Sequence, residues 1–223
     1  MIGEFSGPIF NSTIDFPDYE FVHIVCYKNT AYEVKSKIKN FKRKDSDIIH
    51  DEIIPLIPRI EKSTDSVAPN VLLLAIDSMS FVNFKRHFHK TEEFLRKNNF
   101  SELLGYNKLG QNTFPNMVPF LTGYHAKELQ AGMDLMKVNF EEWPIIWKNY
   151  SKEGFVTVFV EEMASYGLFR YHGRGFSKKP TDYSTRPFHM EIHNQRNNKF
   201  CYKDKTETQV NLHFIEGKVE IQN

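Results

Sequence analysis

Two residues have the type and placement to do chemistry on an oxyanion ester. Asp77 closes the apolar run "VLLLAID" (Val71–Asp77), and Thr113 lies in "GQNTFPNMVPFLTGY" (Gly110–Tyr124), just before Phe114–Pro115. A carboxylate at the carboxyl end of a core strand suits a hard or borderline divalent cation such as Zn²⁺, Mg²⁺ or Ca²⁺. A threonine hydroxyl ahead of a proline-led helix stands where backbone N–H groups and the positive dipole end stabilise a phosphoryl or sulfuryl oxygen. Activated there by a metal, it is a nucleophile. Taken singly, each residue has a plainer reading: Asp77 as a turn or cap residue, Thr113 as a helix N-cap.

Other side chains invite weaker readings. His87 and His89 form an H-x-H, and His189 and His193 are spaced i, i+4, which would bind a metal only if that segment is helical. Exposed polar histidines are the simpler account of both, with no third ligand evident. Glu161 and Glu162 end an apolar segment and so lie near the edge of a strand-end site. Arg170, His172 and Arg174 could face an anion, although a packed surface loop is the simpler account, and Asp182 reads as a turn residue.

The elements that must position these residues follow from pattern. Val71–Asp77, bounded by Pro69–Asn70 and Ser78, predicts a strand buried on both faces of a parallel sheet. Phe84, Phe88, Thr91, Phe94 and Leu95 predict one amphipathic helix, and "FSELLGYNKLG" a short strand ending in a turn. Pro115 opens a helix running to about Leu121, with Gly123 as its stop. "NFEEWPIIWKNYSKEG" is helical in part, and "FVTVFVEE" after Gly154 is a second buried strand. Residues 163–200 read as a long structured loop, and "ETQVNLHFI" as a helix. This alternation gives an α/β layered fold. Residues 1–66 form an amino-terminal extension, with a half-exposed strand at "EFVHIVCY" and a basic loop, ahead of a domain over 67–223.

Composition excludes some partners. The chain has 223 residues, 40% hydrophobic and 26% charged, with a formal net charge of +1. That balance gives no long-range attraction to nucleic acid. The basic run from Lys35 to Asp51 lacks the interleaved aromatics of a nucleic-acid site and reads as a solvated face. No run of about 18 apolar residues predicts a membrane span. The first residues, Met-Ile-Gly-Glu-Phe, lack the basic and apolar regions of a signal peptide. Sequons at Asn11, Asn99 and Asn149 point toward the secretory pathway. Cys26 and Cys201 form no C-x-x-C motif; a disulfide between them and two free thiols both stay open.

Taken together, "PNVLLLAIDSMS" followed by "NTFPNMVPFLTG" resembles the amino-terminal half of the alkaline phosphatase and sulfatase superfamily. There a strand-end aspartate binds metal and a threonine, serine or modified cysteine opens the next helix. T-F-P-N is similar to the nucleophile segment of nucleotide pyrophosphatase/phosphodiesterases. Further strings, "LLLAIDSMSFVNFKRHFHKTEEFL", "LGYNKLGQNTFPNMVPFLTG", "FVTVFVEEM" and "GFSKKPTDYSTRPF", are similar to uncharacterised, sulfatase-like extracellular proteins of insects and nematodes. The resemblance implies an alkaline phosphatase-like sandwich with a mostly parallel central sheet, Thr113 as nucleophile and metal-bound residue, and Asp77 as metal ligand. The implied ion is Zn²⁺, with Mn²⁺ or Ca²⁺ as alternatives, and the implied substrate is a small-molecule or glycan phosphate ester.

Departures limit that implication. Asn112-Thr113-Phe114-Pro115-Asn116 is not the C/S-x-P-x-R context of a sulfatase, and Ser78 replaces a second strand-end aspartate. The chain has no Asp-His dipeptide, whereas superfamily members complete the site with Asp and His from a carboxy-terminal half. The expectation is a fold truncated at its carboxyl end, poorly stable at an uncovered sheet edge, with an incomplete and inactive site. The competing expectation is a secreted, non-catalytic binding or structural protein.

Overall fold

A computed structural model describes residues 20–27, 48–56, 60–62, 69–195, 201–202 and 205–222. Among them it is a mixed α/β structure with seven α-helices and three two-stranded ladders. The chain divides into two compact units, each built from separate stretches.

The first unit takes the described residues of Met1–Glu61, Val158–Ser165 and Thr181–Asn223. Strand β1 (Phe21–Tyr27) pairs antiparallel with β2 (Ile48–Pro55), with Phe21 opposite Pro55 and an irregularity at Cys26–Tyr27. The strand expected at Glu20–Tyr27 therefore forms. Strand β3 (Val158–Phe159) pairs parallel with β4 (Tyr183–Ser184), and β5 (Cys201–Tyr202) antiparallel with β6 (Lys205–Thr206). Helix α6 (Arg186–Gln195) buries Phe188 and Ile192 against Ile53, with Phe21, Tyr202 and Val210 around them. Helix α7 (Glu207–Gln222) adds Phe214, whose ring stacks on Phe21 at 5.6 Å. Cys26 and Cys201 are both exposed and form no disulfide. The basic run lies outside the described residues except for Ile48–Asp51 in β2.

The second unit takes the described residues of Lys62–Thr157 and Tyr166–Pro180. Its helices are α1 (Phe81–His87), α2 (His89–Lys97), α3 (Phe114–Thr122), α4 (Ala126–Gln130) and α5 (Ile146–Lys152). Short 3₁₀ turns lie at Leu135–Lys137 and Phe140–Glu142. The core is aromatic: Phe114, Phe140, Trp143 and Phe169 pack with Val118, Leu121, Val138 and Ile145. Phe140 meets Trp143 edge-on at 4.8 Å and Phe169 at 5.2 Å, the offset geometry that ring quadrupoles favour.

Several expectations change. The single helix expected over residues 84–95 is two, because Phe88 leaves helical geometry at φ −107°, ψ 43°. The segment 163–200 holds β4 and a full helix rather than only loop. "FVTVFVEE" contributes only the two residues of β3, with Val158 exposed. Val71–Ile76 has no regular secondary structure and joins no ladder among the described residues, and Leu72 and Leu74 are 71% and 63% exposed. A strand needs neighbours to accept its backbone bonds. None of the described residues supplies them, and no mostly parallel central sheet is present among those residues.

Candidate functional site

Helix α3 is built by its ends. Pro115 sits in the first turn, where its missing N–H removes no helical bond, and Gly123 closes the helix at φ 77° with its N–H on the Pro119 carbonyl. One face carries Phe114, Val118 and Leu121 into the aromatic core. The helix is thus anchored at Phe114, one residue after the candidate nucleophile.

Thr113 occupies the N-cap position but does not cap. Its backbone is α-helical, φ −71°, ψ −45°, and its side chain makes no capping bond. A capping residue normally takes extended geometry so that its oxygen reaches back to the N2 or N3 N–H. Instead Thr113 Oγ1 donates to Asp77 Oδ1 at 2.8 Å. The other carboxylate oxygen, Oδ2, accepts from Ser78 Oγ at 3.2 Å. Asp77, Ser78 and Thr113 are all exposed.

The approach to Thr113 is held by Asn116. Its amide oxygen accepts from Leu109 N–H at 2.7 Å and Gly110 N–H at 3.3 Å, and its NH₂ donates to the carbonyls of Gly110 and Asn112. That loop needs unusual backbone: Asn112 has φ 68°, a region asparagine tolerates. A Cβ on Gly110 would meet Pro115 Cβ at 2.9 Å. Sequence reading missed Asn116; its place as the third residue of a helix led by Phe114–Pro115 was the available signal. The Asn116 and Met117 N–H groups both bond to the Thr113 carbonyl, and Pro115 has none. The helix therefore offers an incoming oxyanion fewer donors than its sequence suggests.

A second carboxylate supports this unit. Glu141 accepts from the Ser177 hydroxyl at 2.7 Å, the Lys178 N–H at 3.0 Å and the Ser177 N–H. Burial acts to raise its pKa, but these donors outweigh burial and hold it at about 2. Lys148, whose pKa burial lowers, donates to the carbonyls of Glu141 and Trp143. These bonds fix the turn that presents Phe140 to Phe114, at a ring separation of 6.2 Å.

The remaining candidates scatter. His87 ends α1 and His89 opens α2, and both are exposed. Arg170 donates to the Phe176 carbonyl at 3.1 Å, which makes it a loop brace. His172 lies edge-on to Phe114 at 6.1 Å, one residue from Thr113. Glu161, Glu162 and Asp182 belong to the first unit, where the Glu161 N–H donates to Thr185 Oγ1 at 3.3 Å. His189 and His193 do lie on a helix, α6. Among the described residues no helix is long and apolar enough to cross a membrane.

Residues 11–220 match the family described as "Protein of unknown function (DUF229)", and the chain belongs to that family. No curated protein and no solved structure matches it.

Proposed function

We propose that this chain carries part of a metal-dependent phosphate-ester hydrolase or transferase site, of phosphodiesterase or phosphotransferase type, with Thr113 as nucleophile and Asp77 as metal ligand. The observation that carries this reading is the 2.8 Å bond from Thr113 Oγ1 to Asp77 Oδ1, in place of the cap that Thr113 would otherwise make. It joins the aspartate that closes the Val71–Asp77 run to a helix-initial threonine, in the order of the strand-end aspartate and nucleophile of the alkaline phosphatase and sulfatase superfamily. On this reading Val71–Ile76 corresponds to a strand of the superfamily's central sheet, and the protein is extracellular.

The donors fit the beginning of a divalent site. Asp77 and Thr113 supply two oxygens suited to Zn²⁺, Mn²⁺ or Ca²⁺, and a bound ion would supply charge neutralisation and acidify the hydroxyl. Catalytic zinc sites hold three protein ligands; no group of three His, Cys, Asp or Glu among the described residues is placed to hold an ion. The chain's own residues do the positioning: Asp77 accepts the hydrogen bond of the Thr113 hydroxyl and orients it, Phe114 anchors the helix, and Asn116 fixes the approach.

A second reading, a non-catalytic binding or structural protein, rests on a different observation. Both oxygens of Asp77 are already satisfied by hydroxyls, so this carboxylate is stable without an ion.

The test is hydrolysis of a bis-aryl phosphate with Zn²⁺ or Mn²⁺ present, beside calorimetric titration of each ion. The enzyme reading expects turnover that Thr113→Ala abolishes and ion affinity that Asp77→Ala removes. Turnover unchanged in Thr113→Ala would sink it; a folded chain that neither turns over substrate nor binds either ion supports the second reading.

A further inference from the structure

The first unit holds a pocket of about 290 Å³ bounded by β1, β2, α6, β5, β6 and α7. Four aromatic rings wall it: Phe21, Phe188, Tyr202 and Phe214. They hold one another in place. Phe21 stacks on Phe188 at 5.2 Å and on Phe214 at 5.6 Å, and Tyr202 meets Phe188 edge-on at 5.6 Å. The Tyr202 hydroxyl also accepts from the Ile53 N–H. The walls are therefore set before a ligand arrives, which lowers the ordering cost of binding. A lining that is mostly apolar offers water few hydrogen bonds, so an apolar occupant is favoured over solvent.

The polar groups of the pocket select the head group of that occupant. Asn211 is 5% exposed, and its Oδ1 accepts from His189 Nε2 at 2.8 Å, which leaves its NH₂ with no partner among the described residues. Lys205 lies at the exposed rim, and its ammonium makes no ion pair or hydrogen bond among those residues. Both groups can only donate. The one carboxylate of the lining, Glu52, stands 3.3 Å from His50 Nε2, and His213 stands 3.8 Å from Glu216. Two donors, one of them cationic, are thus left open beside an apolar chamber.

We propose that this pocket binds a small monocarboxylate with an apolar chain, its carboxylate at Lys205 and Asn211 and its chain among the four rings. A carboxylate gives both donors an acceptor, and its charge complements the ammonium. At about 30 Å³ per water-sized group, the volume holds roughly ten heavy atoms, the size of octanoate. Ligand pockets begin at roughly that volume, near 300 Å³. Asp77 and Thr113 belong to the second unit and take no part in this site.

The measurement is titration of octanoate, to about 10 mM with chelator present, into the ¹⁵N-labelled full chain, read by amide chemical shifts. Expected is saturable one-site binding with a Kd of about 1 mM or below and shifts centred on Lys205–Phe214. Octanol, with the same chain and no charge, should bind about threefold more weakly or worse. Lys205→Gln should weaken octanoate about three- to fivefold, the scale of an exposed ion pair, and leave octanol within about twofold. Val210→Phe puts a ring into the chamber and should abolish binding of both. Lys205 is exposed, so its variant tests the head group even if Val210→Phe fails to fold, with circular dichroism as the check. The proposal is overturned if octanoate binding does not saturate, if octanol binds as tightly, or if Lys205→Gln binds octanoate as the wild type does. Retention of octanoate by a folded Val210→Phe, or shifts centred on the exposed run Val71–Leu74, would overturn it equally.

Discussion

Replacing Glu141 with Gln keeps the shape of the clasp on Ser177 and Lys178 and removes its charge. A carboxyl held at about 2 rather than 4.5 would contribute ~3 kcal/mol if the whole difference reached folding stability. The side chain is only half-buried, so solvent screening reduces this to ~1–2 kcal/mol. The folded pKa lies below the unfolded one, so the contribution is complete above pH 4.5 and is lost as pH falls toward 2. Both tryptophans, Trp143 and Trp147, belong to this unit, so urea unfolding followed by tryptophan fluorescence reads the relevant structure. Glu141→Gln should cost ~1–2 kcal/mol at pH 7, and the gap from wild type should narrow between pH 4.5 and 3. No loss at pH 7, or a gap unchanged at pH 3, would refute the assignment of the charge to those donors.

Gly110→Ala should cost ~1–3 kcal/mol in the same assay, because its methyl meets Pro115 Cβ at 2.9 Å and must displace the turn that carries Thr113. Ion affinity at Asp77 should fall with it, by calorimetry. Leu72→Glu and Leu74→Glu should each change stability by less than about 0.5 kcal/mol, since both side chains are mostly in water. They should also raise the protein concentration at which light scattering detects association; a loss above ~2 kcal/mol would mean the run is packed in solution.

What the sequence made legible was local chemistry. Helix α3 is readable because Pro115 and Gly123 act within their own turns, and β1 because its alternation needs only one partner strand. The apolar run Val71–Ile76 announces a buried strand, yet burial depends on neighbours that one segment cannot encode, and here it stays exposed. Helix α6 was hidden by its histidines. Phe188 and Ile192 give the i, i+4 apolar pair, but His189 and His193 repeat at the same spacing and mask the apolar stripe. The break at Phe88 has no Pro or Gly to mark it.

Order along the chain pointed to Asp77 and Thr113, but order alone left each of them a plain cap. For Thr113 the structure removes the capping reading through the backbone. At φ −71°, ψ −45° the Thr113 oxygen makes no capping bond to the N–H groups ahead of it, and its hydroxyl donates to the Asp77 carboxylate instead. The cost of an uncapped helix is borne elsewhere. Asn116 reaches back from inside the helix to the Gly110 and Asn112 carbonyls and the Leu109 N–H, closing the loop that a capping threonine would have closed. Phe114 holds the same turn from below through its packing on Phe140 and Phe169. With loop and helix both secured by other residues, the Thr113 hydroxyl has no structural duty except its bond to Asp77. On the proposed reading, a hydroxyl released in this way, in contact with a carboxylate and open to solvent, is the one that acts as nucleophile.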